Sequence, residues 1–334
     1  MAVWSRMASQ KVFAALLLVA LAGGEPVLGA ETCAYAPPPP TSLQSRDKAA
    51  DYSSVLRVCE SLRGARAVAT RTLRLGGTPY LLLADPQALT TRIELAACWR
   101  CSAASEGDLE ETRLMRSVAL SADAPGLAHR GFLENAGLVH SARAGEIVTG
   151  DLCPSQRPLD RGFFETLESV APGAPVALAV SGVWLTHHFE DFSWLLAQKL
   201  AGKLDIVWAN HSYRHRYARG VADAQTYLMT PGTDIDEEIL DTERLLIANG
   251  QAPSLFFRFP GLASNAPLMR AVRRHHLIAL GADAWLAIGQ KPGPGSIILV
   301  HPNGNEETGL RVFARDLAQG AIRPPFDPLA EAPP

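Results

Sequence analysis

The sequence lacks an excess of charge of either sign. Its 334 residues hold 31 Lys plus Arg against 34 Asp plus Glu, a formal net charge of -3. No broad basic field is available to neutralise phosphates, so nucleic acid is excluded as a partner. Apolar runs long enough to cross a bilayer are also missing after the first thirty residues, since a span needs about 18 or more. The mature chain is therefore expected to carry no integral membrane span. Aromatic residues make up only 7% and no internal repeat is evident, while 47% hydrophobic content is enough to bury a full-sized core. A disordered or fibrous chain is thereby excluded.

What is present at the start reads as an export signal. Arg6 and Lys11 give a positive beginning, "VFAALLLVALAGG" is a short apolar run, and "VLGA" ends in small residues suited to cleavage after Ala30. Residues 1–30 are assigned to this signal, and the protein is expected to be exported, either periplasmic or secreted. An uncleaved membrane anchor is the alternative reading of the same run. In an oxidising compartment the five cysteines, Cys33, Cys59, Cys98, Cys101 and Cys153, favour disulfides, with at least one left over. "CWRC" at 98–101 could instead be a redox pair, which would make a thiol redox protein.

Residues 31–44, containing "APPPPTS", read as a Pro-rich linker. Residues 45–145 read as a small α/β region: "AADYSSVLRVCESLR" has helical spacing, and "TPYLLLADP" and "RIELAACW" look like short buried strands. From 146 to 320 strand-length apolar runs ("EIVTGD", "APVALAVSG", "LDIVWANHS", "SLFFRFPG", "HLIALGADA", "SIILVHPN") alternate with amphipathic helical stretches. That alternation predicts an α/β fold with a parallel sheet, either open and doubly wound or closed into a barrel. Residues 321–334 read as a Pro-rich tail.

Titratable residues fall at the C-terminal ends of those strands: Asp151, His211 and His215, Arg258, Asp283 and His301. In parallel α/β architectures these ends share one face, and that face carries the active site. His211 and His215, four positions apart, can aim two imidazoles at one cation from a helix or tight turn. Two solvated histidines beside Arg214, Arg216 and Tyr217 are the plainer reading. The pairs at 187–188 and 275–276 are left as surface residues.

"TGDLCP" (149–154), "HSYRH" (211–215), "RFPG" (258–261), "DAW" (283–285) and "IILVH" (297–301) occur in an order and spacing that resembles the polysaccharide deacetylase family, the NodB-homology domain of carbohydrate esterases. The resemblance covers about residues 145–320. It implies a distorted (β/α) barrel that removes acetyl groups, usually N-acetyl, from a glycan with one divalent metal. Zinc is the expected ion, with cobalt, nickel and iron also suited to the donors.

By that resemblance His211 and His215 are metal ligands, Asp151 is the base, Arg258 orients it, and His301 is the general acid with Asp283 holding its imidazole. Trp285 and Leu299 would wall the pocket for the acetyl methyl. The first motif departs from the family's Thr-Phe-Asp-Asp-Gly-Pro, because Leu152 stands where the metal-binding carboxylate is expected. Three readings follow: Asp151 remains the base and the metal has two histidines and water; Asp151 becomes a ligand and another carboxylate such as Asp160 serves as base; or the barrel has lost catalysis and only binds glycan. The competing function is accordingly a noncatalytic glycan-binding or scaffolding protein.

Overall fold

Apolar runs of strand length need both faces covered, and the chain meets that need with a seven-stranded parallel sheet wrapped by helices. The computed structural model describes residues 33–334, so the export signal expected over 1–30 lies outside the described residues.

Five strands open the described chain: β1 (Ala49–Ser61), β2 (Arg66–Leu75), β3 (Thr78–Ala84), β4 (Thr91–Leu95) and β5 (Trp99–Ala103). They form an antiparallel sheet in the order β4-β3-β2-β1-β5. Helix α1 (Arg113–Ala122) and the short pair β6 (Leu127–His129) and β7 (Phe132–Glu134) follow.

The parallel part then runs β8 (Ile147–Leu152), α2 (Arg161–Val170), β9 (Ala174–Val180), α3 (Gly182–His187), α4 (Phe189–Leu200), β10 (Leu204–Asn210), α5 (Ile235–Ala248) and β11 (Phe256–Phe257). It continues through β12 (Ala263–Ser264), α6 (Ala266–Arg274), β13 (Ile278–Ala279), β14 (Ala284–Trp285), β15 (Ile297–Val300) and α7 (Glu307–Ala318). Strand β12 joins β7 and β6 in a separate three-stranded sheet.

The parallel sheet has the order β13-β11-β10-β9-β8-β15-β14. Read as a circle this is chain order, with the last strand β15 paired to the first, β8, and an opening between β13 and β14. A doubly wound sheet reverses direction at a switch point, whereas cyclic order belongs to a barrel. The fold is thus a distorted (β/α) barrel. Beside the opening, Leu138 bridges to Leu280 and His140 to Ser296, so residues 138–140 link the β13 side to the β15 side.

Side chains alternate between the two faces of each strand. Val148, Leu152, Leu178, Val180, Ile206, Trp208, Ile298 and Val300 face the helices and pack with Phe163, Phe164, Trp184 and Phe192. Ile147, Ala177, Ala179, Ala209, Phe256, Ile297 and Leu299 face inward, joined by Met115 and Val118 of α1 and by Leu329 and Ala332 near the C-terminus. Small inward residues leave room for that filling.

One expectation is corrected near the start of the chain, and both Pro-rich ends are packed against the rest. The stretch predicted as a helix over "AADYSSVLRVCESLR" is strand β1. Register shifts between Ala50 and Ser53 and between Ser54 and Arg57 break its alternation and imitate helical spacing. The stretch expected to be a linker is packed down: Ala34 bridges to Glu94, the Tyr35 N–H donates to the Ile93 carbonyl, and Leu43 lies against the helix-side core. The expected tail is likewise structured, with Leu329 and Ala332 buried and the Ala142 N–H bonded to the Ala332 carbonyl.

Cys59 and Cys101 face each other on β1 and β5 and form a disulfide, and Cys33 and Cys98 are disulfide-bonded as well. "CWRC" is therefore not a redox pair, since Cys101 is bonded across the strands rather than along the motif. Cys153 is free. No helix among the described residues is long and apolar enough to cross a membrane.

Candidate active site

Inner-face parity sets the site. On β8 the inward positions are Ile147, Thr149 and Asp151; on β15 they are Ile297 and Leu299, followed by His301. Ala209 on β10 leads to His211, and Phe256 on β11 leads to Arg258. Four chemistry-bearing side chains thus leave neighbouring strands on one face at one end of the barrel.

Arg258 is fully buried and donates from Nη1 to Asp151 Oδ1 and to Thr149 Oγ1, both at 2.8 Å, and from Nη2 to the Gly281 carbonyl at 2.9 Å. Burial pushes the Asp151 carboxyl up, but Arg258, His211 and His301 outweigh it and hold the group below the usual carboxylate range. Asp151 is therefore an anion at neutral pH with one oxygen tied and the other facing the site, 3.6 Å from His211 Nε2.

His211 and His215 sit on a tight turn after β10 rather than on a helix. Ser212 and His215 take positive φ values of 63° and 46°. The turn is held by Asn210 Oδ1, which accepts from the Ser212 N–H at 2.9 Å, and by Ser212 Oγ, which accepts from the His215 N–H at 3.2 Å. His211 Nδ1 lies 2.8 Å from the Arg258 carbonyl. A carbonyl can only accept, so Nδ1 carries a proton and Nε2 is the nitrogen turned into the site. There Nε2 meets His215 Nε2 at 3.1 Å and Cys153 Sγ at 3.5 Å. Burial lowers the proton affinity of His211, but Asp151 and Cys153 outweigh it and hold the imidazole above its ordinary value.

Tyr227 lies edge-on to the His215 ring and stacked on Tyr217. It reaches that place across Gly261, whose φ is 60° and where a Cβ would meet the Tyr227 ring at 2.4 Å. The glycine of "RFPG" is thus required twice, by conformation and by close approach.

His301 Nδ1 is 2.7 Å from Glu306 Oε2, and the same oxygen accepts from Trp285 Nε1 at 3.0 Å. Burial lowers the affinity of His301 for a proton, yet its hydrogen bonds to Cys153 and Glu306 hold the imidazole well above its ordinary value. For Cys153 burial raises the pKa, but His215 and His211 draw the thiol well below the usual range.

The structure brings together Asp151, His211, His215, Arg258 and His301. Asp283 stands apart from His301: it lies 2.6 Å from His140 Nδ1 and accepts from the Ser296 hydroxyl and the Ile297 N–H. This corrects the expected partner of His301, a position occupied by Glu306. Asp283 cannot hold that imidazole because residues 138–140 and the start of β15 claim its carboxylate. Trp285 lies beside His301, ring centroids 5.8 Å apart, while Leu299 is buried in the inner core. Asp160 lines the cleft between α2 and α7 with Glu307 and Arg311 rather than joining these groups.

Leu152 has even parity and is fully buried against the helix layer, so it has no access to the site. Cys153, Glu306 and Thr149 were not singled out as site residues from sequence. The signal for the thiol was available: counting by two from Asp151 gives position 153, not 152.

The donor set suits a metal. Sγ of Cys153 and one nitrogen each of His211 and His215 lie within 4.8 Å of one another, as do Asp151, Cys153 and His301. Two imidazole lone pairs 3.1 Å apart repel unless a proton or a cation sits between them, and the anchored His211 tautomer is the arrangement metal-ligating histidines adopt.

No family model matches the chain. Among solved structures it is similar to a family 4 carbohydrate esterase from Streptomyces lividans in complex with acetate, at 24% identity over 54% of this chain and 91% of that one, with a TM-score of 0.37. A family 4 carbohydrate esterase from Bacillus anthracis matches at 16% identity over 64% and 89%, TM-score 0.42. A CE4 family pseudoenzyme from Bacillus anthracis matches at 11% identity over 58% and 67%, TM-score 0.41.

Proposed function

We propose that the protein is an exported, metal-dependent carbohydrate deacetylase that hydrolyses acetyl groups, chiefly N-acetyl, from a glycan. The observation that carries the reading is the convergence at one barrel mouth of an Arg-held carboxylate, a paired-histidine turn and a carboxylate-held histidine. The disulfides fit an exported protein.

Amide hydrolysis needs a base for water and an acid for the departing amine. Asp151, kept ionised and oriented by Arg258, takes the proton from the attacking water. His301, protonated and fixed by Glu306, gives a proton to the amine nitrogen as the carbon–nitrogen bond breaks. Trp285, tied to the same Glu306 oxygen and lying beside His301, would wall the pocket for the acetyl group. His211 and His215 would hold a divalent ion, whose chemistry is polarisation of the acetyl carbonyl and activation of water.

A noncatalytic glycan-binding protein is the competing reading, prompted by Leu152. Favouring catalysis is the survival of both proton-transfer groups with their supports, which binding alone does not require. The test is acetate release from N-acetylglucosamine oligomers, peptidoglycan and an O-acetylated xylan, with Asp151→Asn as control. Release that falls about 10²-fold or more in the control supports the reading. Glycan binding without acetate release from any substrate would replace it with the binding protein.

A further inference from the structure

We infer that Cys153 is the third protein ligand of the metal, a thiolate standing in for the carboxylate that Leu152 fails to provide, so that the site is a Cys–His–His centre selective for thiophilic divalent ions. The inference rests on the metal dependence proposed above and specifies its chemistry.

Three observations converge on this. The β8 alternation sends Leu152 into the helix layer and returns position 153 to the face of Asp151. The Cys153 backbone is fixed there, because Asn303 Nδ2 donates to its carbonyl at 2.9 Å. Its thiol is outside any disulfide and faces the two histidine nitrogens.

Of the two donor triads that share the thiol, Cys153–His211–His215 is the better cation site. Asp151 is already bonded to Arg258 at 2.8 Å, and a guanidinium so close repels a second cation. His301 is tied to Glu306 and serves proton transfer. His211, by contrast, has its Nδ1 spent on a carbonyl and its Nε2 free to ligate. A Cys ligand therefore leaves Asp151 as base, which removes the need for Asp151 to fill two roles.

The thiol surrenders its proton on ligation, and sulfur shifts metal choice. Thiolate and imidazole together favour zinc, cobalt or cadmium and disfavour magnesium, calcium and manganese, which prefer oxygen donors.

The experiment loads the full chain, purified without reductant so that its disulfides stay formed, with cobalt(II) and records metal per chain and the near-ultraviolet spectrum. One cobalt per chain with an intense sulfur-to-cobalt charge-transfer band is expected. The band should vanish in Cys153→Ser, whereas Cys153→Asp should bind metal without it and gain relative affinity for manganese. One cobalt per chain with no band in the unaltered protein would overturn the inference, and so would a band that persists in Cys153→Ser. A band with no acetate release would support the Cys ligand and count against the deacetylase reading, so the two failures are distinguishable.

Discussion

Replacing Arg258 with Met should expose what holds the base in place. Arg258 and Asp151 are both essentially buried, with their charged atoms 2.8 Å apart. Removing one member of a buried ion pair costs about 3–5 kcal/mol, because the remaining charge is left desolvated without its partner. Here the cost is compounded by lost bonds to Thr149 Oγ1 and the Gly281 carbonyl. A mature domain holds only about 5–15 kcal/mol in total, so the variant should be visibly weakened yet foldable.

Asp151→Asn should cost a similar amount, by stranding the guanidinium instead. The double variant Asp151→Asn/Arg258→Met should cost less than the sum of the singles by about 1.5–3 kcal/mol. The sign with pH is also fixed. Without Arg258 the Asp151 carboxyl titrates upward, so the folded variant gains protons as pH falls and its deficit shrinks, by at most about 1.4 kcal/mol per unit. Urea unfolding followed by circular dichroism at pH 7.5 and pH 5 measures all four proteins. A cost below about 1 kcal/mol for Arg258→Met, or single effects that simply add, would refute the account of the pair.

Other outcomes follow from the same geometry. Glu306→Gln should lower the His301 pKa, moving the alkaline fall of the pH–rate profile toward lower pH, while His301→Ala should cost about 10²–10⁴ in rate with metal still bound. The pair at 275–276, expected at the surface, is instead packed in, and His276 is held at about 4 by burial and by Arg71, so its neutral form stabilises the fold. That stabilisation is complete above the unfolded value near 6.5 and shrinks as pH falls through about 4, by about 3 kcal/mol overall, so His276→Gln should flatten acid unfolding over that window. Opening Cys59–Cys101, 42 residues apart, should cost about 4 kcal/mol by loop entropy, readable as a lower Tm in Cys59→Ala/Cys101→Ala. Gly261→Ala should displace Tyr227 and weaken metal retention, measured by chelator competition.

The barrel was legible because its strands are continuous apolar runs buried on both faces, which leave a plain signal in β8, β9, β10 and β15. Strand β1 was not, because its register shifts disguise a period of two as one near 3.6. The N-terminal and C-terminal proline segments were read by composition, yet Leu43, Leu329 and Ala332 pack into the cores. At the site, Asp151 could be found because it lies at the end of β8, and His211, Arg258 and His301 because each directly follows a strand, with His215 four positions beyond His211 on the same turn. Glu306 was hidden because it acts through a loop, five residues beyond the histidine it holds. Asp283 misled because a strand-end position does not say which neighbour will claim a carboxylate. Alignment to a familiar motif drew attention to Leu152, whereas strand alternation points to Cys153.

The most direct measurement is the zinc content of the purified protein after loading and dialysis, with His211→Ala beside it. One zinc per chain, lost in the variant, is the predicted result and would make the paired-histidine turn a working metal centre. No zinc retained in the unaltered protein would contradict the metal-dependent deacetylase and leave a glycan-binding barrel in its place.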